Sequence, residues 1–63
     1  MDSERKAIKI KRVERGWTQA DLAAAAKVDV GTICRVEQGK PCTLETMARI
    51  AAAFGCSIGE LLL

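Results

Sequence analysis

The chain has no histidine and no tyrosine, a single proline, and only two aromatic side chains, Trp17 and Phe54, in 63 residues. Without histidine it lacks the side chain that most often moves protons near neutral pH, and the commonest metal ligand as well. Its three cysteines, Cys34, Cys42 and Cys56, are odd in number and widely spaced, and no paired CxxC or Cys/His pattern marks a zinc site. A glycine-rich phosphate loop is also missing, so an enzyme, a metal and a cofactor are none of them expected. No apolar run approaches the ~20 residues needed to span a bilayer. With nothing resembling a secretory segment, the thiols read as reduced and the protein as cytoplasmic, with neither a membrane nor a small-molecule partner.

What remains is rich in aliphatic side chains and alanine, a composition that suits compact helices and is poor for sheets. Residues 1–63 are read as a single all-α domain whose one small core makes every buried apolar side chain count. Charge is nearly balanced, with Lys+Arg 10 against Asp+Glu 8. The basic residues nevertheless crowd the first fifteen positions (Arg5, Lys6, Lys9, Lys11, Arg12, Arg15) and can form either a polyanion-binding patch or an ordinary solvated helix face.

Start and stop signals divide the chain into five helices. Ser3 can cap a first helix that Gly16 ends, although Ile8 and Ile10 lie almost opposite one another and periodicity alone leaves the inward face open. Thr18 with Asp21 is a variant capping box, and it opens a second helix of Leu22 and the small alanines Ala23 to Ala26. Asp29 caps a third helix over 29–38, which Gly39 closes. Val28, Ile33 and Val36 share its apolar side, while Val30, Gly31, Cys34, Arg35 and Gln38 share the outward one. Past Pro41, Thr43 caps a fourth helix on which Leu44, Met47, Ile50, Ala51 and Phe54 form the strongest apolar stripe. Ser57 and Glu60 then match a capping box ahead of Leu61, Leu62 and Leu63.

Helices two and three are joined by a very short turn, the arrangement in which a second helix can project into the major groove of DNA, though such pairs also occur in bundles that never meet DNA. The residues themselves add to this. Arg12, Gly16-Trp17-Thr18-Gln19, Leu22-Ala23, Val28, Thr32-Ile33, Arg35-Val36-Glu37, Gly39-Lys40, Thr43-Leu44-Glu45-Thr46, Arg49-Ile50-Ala51 and Phe54-Gly55, followed by Ser57 and Glu60-Leu61-Leu62, run through nearly the whole chain. In that order they resemble the lambdoid phage repressor and Cro-like helix-turn-helix domains, also called the xenobiotic-response-element family.

The resemblance implies a compact five-helix repressor-like domain that binds double-stranded DNA as a homodimer, as a transcriptional regulator and in particular a repressor. Gln19 would sit at the DNA backbone, where a helix N-terminus offers free amides to phosphate, and Thr32 and Lys40 look like further backbone contacts. Base reading would fall to Val30, Gly31, Cys34, Arg35 and Gln38, with Arg35 suited to donate two hydrogen bonds to guanine. The family's pairing of an arginine from helix one with a glutamate at the end of helix three matches Arg12 and Glu37, and so argues for Ile8 inward. Leu61, Leu62, Leu63 and the neighbouring loop are the candidate dimer surface.

The chain departs from the family's pattern in places. Val30 and Gly31 stand where base-bonding polar side chains are common; valine offers contact only to a thymine methyl, and glycine only room for close approach. Lys27 occupies a turn position often held by glycine. A second reading therefore stands beside the first, in which an antitoxin-like or protein-interaction module keeps the fold with weak or no specific DNA binding. Val30, Gly31 and Cys34 favour that reading; Gln19, Thr32, Arg35 and Lys40 oppose it.

Overall fold

The computed structural model describes residues 3–61, with side chains over 6–61. The elements are α1 (Ser3–Glu14), α2 (Gln19–Ala26), α3 (Val30–Glu37), α4 (Leu44–Phe54) and α5 (Ile58–Leu61), and no strand occurs among the described residues. Ser3 lies within α1, and the capping role expected of its hydroxyl falls outside the described side chains, as do Leu62 and Leu63.

The helix starts form where the cap residues stand, because each side-chain oxygen satisfies an amide that has no intrahelical partner. Thr18 and Asp21 make the full reciprocal box at α2. Asp29 accepts from the Gly31 amide at 2.8 Å, Thr43 from the Thr46 amide at 3.1 Å, and Ser57 and Glu60 exchange bonds at the head of α5. Gly55 closes α4 in the left-handed conformation that costs glycine nothing.

The core is a cluster of Ile8, Leu22, Ile33, Val36, Ile50 and Leu61, all essentially without solvent contact, with Ala23, Ala26, Met47, Ala51 and Phe54 around them. α2 packs against both α3 and α4, while α1 packs against α3 and α5. Ala23 and Ala26 are the buried side chains that let α2 lie close to two neighbours at once. Ile8, not Ile10, faces inward. The three cysteines are free thiols, and Cys42 and Cys56 pack on the edge of the core.

Two apolar expectations are corrected. Leu44, assigned to the α4 stripe, is 75% exposed. Helical side chains lean toward the N-terminus, so a residue at the first helical position covers ground ahead of the helix instead of the core beneath it. Leu61, offered as part of a dimer surface, is fully buried within its own chain, because α5 turns it against the α1 and α4 side of the core.

Lys27 ends α2 with φ 61° and ψ 43°, and its amide bonds to the Ala23 and Ala24 carbonyls. A Cβ in this conformation costs about 1 kcal/mol that glycine escapes. Lys27→Gly is accordingly expected to raise stability by about 1 kcal/mol, or roughly 4–8 °C in Tm for a domain of this size. Thermal melts by circular dichroism check this, and an unchanged or lowered Tm would contradict it.

Candidate nucleic-acid interface

α3 is held to the core by Ile33 and Val36 and fixed from behind by Glu37. The Glu37 carboxylate, 6% exposed, accepts from Arg12 Nε at 2.6 Å and from Arg12 Nη2 at 3.2 Å, and the Arg12 side chain is 12% exposed. Arg12 Nη1 also donates to the Trp17 carbonyl at 2.8 Å. One guanidinium thereby ties α1 to α3 and to the turn leading into α2. The expected pairing of Arg12 with Glu37 is present, and both charges are largely withdrawn from water.

Glu37 does a second thing that the sequence did not disclose. Its Oε1 also accepts from Gln19 Nε2 at 3.0 Å, so the amide at the head of α2 is anchored to the last turn of α3. Glu37 follows Val30 by two helical turns on the same side of α3, which places Gln19 along the Val30 edge of the outward face.

Around the helix from that edge, Val30 is 45% exposed, Cys34 and Gly31 are half-buried, and Arg35 and Gln38 are exposed. Gln38 Nε2 donates to Cys34 Sγ at 3.3 Å, and Arg35 Nη2 donates to Thr32 Oγ1 at 3.3 Å. Thr32 is half-buried on the far edge, opposite the Gln19 side, and Lys40 is exposed just past the helix end. Val30, Gly31, Thr32, Cys34, Arg35 and Gln38 thus lie on the outward turns of α3 and its cap, Gln19 is tied to their Glu37 side, and Lys40 lies beyond the helix end. Arg35 is exposed, and its bond to Thr32 stays within α3.

The basic N-terminal stretch divides. Arg12 is committed to Glu37. Arg15 lies 5.5 Å from the Trp17 ring and 5.0 Å from the Phe54 ring, which stack on each other with centroids 5.9 Å apart, and it donates to the Phe54 carbonyl at 2.7 Å. Both arginines are thereby engaged in holding helices together, while Lys6 and Lys9 stay exposed. Among the described residues no group of histidine, cysteine or acidic side chains is placed to hold a metal ion, and no helix is long and apolar enough to cross a membrane.

Five short helices with α2 and α3 joined by a three-residue turn, the second of them carrying a free polar edge, define a helix-turn-helix domain. A helix-turn-helix family model matches residues 8–61, and the chain belongs to that lambda repressor/Cro-like family of DNA-binding regulators, which is not a family of enzymes. No curated protein and no solved structure gives a significant match.

Proposed function

We propose that this chain is a sequence-reading transcriptional repressor that sets α3 in the major groove of duplex DNA and acts as a homodimer. The observation that carries this reading is the solvent-facing edge of α3, with Arg35 exposed in its midst while Ile33, Val36 and the Arg12–Glu37 pair hold the helix rigidly from the other side. Gln19 and Thr32 flank that edge on opposite sides, as contacts to the two phosphate backbones bordering one groove must. Arg35 is the side chain able to distinguish a guanine, and Lys40 adds a charge that tracks phosphate. Two-fold pairing adds the contacts that a single module lacks, and implies half-sites ~34 Å apart. Repression, as opposed to activation, rests on the family resemblance. A DNA partner is consistent with the cytoplasm and with reduced thiols.

Selection from random duplexes at two salt concentrations tests the reading. The expected result is a two-fold-symmetric consensus. Arg35→Ala should then flatten preference at one position per half-site, a loss of ~1–3 kcal/mol of discrimination. Gln19→Ala should weaken all duplexes alike. Recovery of no consensus, with binding that vanishes as salt rises, would defeat the specific reading.

The exposed Val30 and its neighbour Cys34 favour a second reading on the same fold, a protein-interaction module of antitoxin type. It predicts weak duplex binding without a consensus, or none, at either salt concentration.

A further inference from the structure

Ile10 and Val13 are 52% and 57% exposed, and they stand three residues apart on the side of α1 turned away from the buried Ile8. Of the other large apolar side chains exposed among the described residues, Val30 belongs to the outward edge of α3 and Leu44 is a single residue at the head of α4. Arg12 lies on the Ile8 side, where it meets Glu37. The face of Ile10 and Val13 is therefore turned away from α3 as well as from the core. Lys6, Ile10 and Val13 follow the four-and-three spacing of a coiled-coil seam. Lys9 and Glu14, both exposed, flank that seam on opposite sides.

The flanking charges decide how two such faces meet. If two copies pair with their α1 helices parallel, the two-fold axis runs along the helices and exchanges the flanks. Lys9 of each copy then faces Glu14 of the other. An antiparallel pair keeps the flanks, and sets lysine against lysine and glutamate against glutamate. We propose that the outer face of α1 is a docking surface for a second copy of this chain, paired in parallel, with Ile10 and Val13 meeting across the axis and Lys9 opposite Glu14. This rests on the homodimer part of the reading above and supplies its surface, since Leu61 is buried within its own chain. The outward edge of α3 takes no part. Two aliphatic side chains per copy cover much less than the ~800 Å² per partner of a standard interface, so the pairing is weak. Lys6 weakens it further, because a lysine in the seam costs stability.

Sedimentation equilibrium without DNA, in a dilution series starting from about 1 mM chain, tests the surface. The wild type should show a monomer–dimer equilibrium within that range. Ile10→Ala should weaken it about tenfold, with melts showing the fold intact. Lys6→Leu, which extends the apolar seam, should tighten it by about the same factor. Lys9→Glu and Glu14→Lys should each associate a few-fold more weakly alone. Mixed with each other, or combined in one chain, they should recover the wild-type strength, because every lysine again faces a glutamate. If Ile10→Ala associates as strongly as the wild type, or the single charge variants do, this surface is overturned while a homodimer through another surface stands. A wild-type chain that is monomeric throughout the series overturns the surface and the homodimer together, and the selection from random duplexes still decides the reading of DNA.

Discussion

Glu37→Ala is expected to cost about 3–5 kcal/mol of folding stability, because it strands the Arg12 guanidinium in a largely dry site with the Trp17 carbonyl as its remaining acceptor. A domain this small rarely has more than about 3–5 kcal/mol to lose, so the variant should be mostly unfolded at 25 °C by circular dichroism. The comparison that gives this meaning is Arg12→Met with Glu37→Leu, which removes both charges and fills the space with apolar atoms. Paired replacements of this kind are often neutral or stabilising, and the double variant should refold with a urea midpoint near that of the wild type. It should still bind DNA less tightly across all sequences, since Gln19 has lost the oxygen that held its amide. A Glu37→Ala chain within about 1 kcal/mol of wild type would mean that the two charges are solvated, and the account of how α3 is fixed would fail.

How far the sequence disclosed this arrangement depends on the range of the interaction. Caps were legible because they are made within three residues: the Thr18–Asp21 and Ser57–Glu60 boxes and the Asp29 and Thr43 caps stand as read, and the structure adds the amides of Gly31 and Thr46 as the partners of the last two. Lys27 was read only as standing where the family often has glycine, and the left-handed angle found there is one that glycine adopts freely. The outward face of α3 followed from helical periodicity. The three-way meeting of Arg12, Gln19 and Glu37 was half legible. The family resemblance supplied the ion pair, but the bond to Gln19 depends on the angle at which α2 crosses α3, which no spacing encodes. Arg15 clasping a carbonyl 39 residues away had no local signal at all. Leu44 and Leu61 were misplaced for a shared reason, since the ends of a helix need not follow the burial of its middle.

Ile8→Ala and Ile10→Ala form the sharpest test of α1, whose sequence alone left two faces open. Ile8 is fully buried and Ile10 is 52% exposed, so truncating the first should cost about 2–5 kcal/mol and the second within about 0.5 kcal/mol of nothing. The residues are of one type, two positions apart on one helix, so the gain in helix propensity on going to alanine cancels in the comparison. What is left is the difference in burial, read as two urea midpoints. The outcome also bears on the interface. Arg12 follows Ile8 by four residues and lies on the same side of α1, so any rotation that buried Ile10 would carry Arg12 away from Glu37 and release both α3 and Gln19. Equal losses at the two positions would therefore remove the support on which the outward edge of α3 is built. A large loss at Ile8 alone, with DNA affinity falling only in proportion to the unfolded fraction, would join the core, the ion pair and α3 in one rigid body.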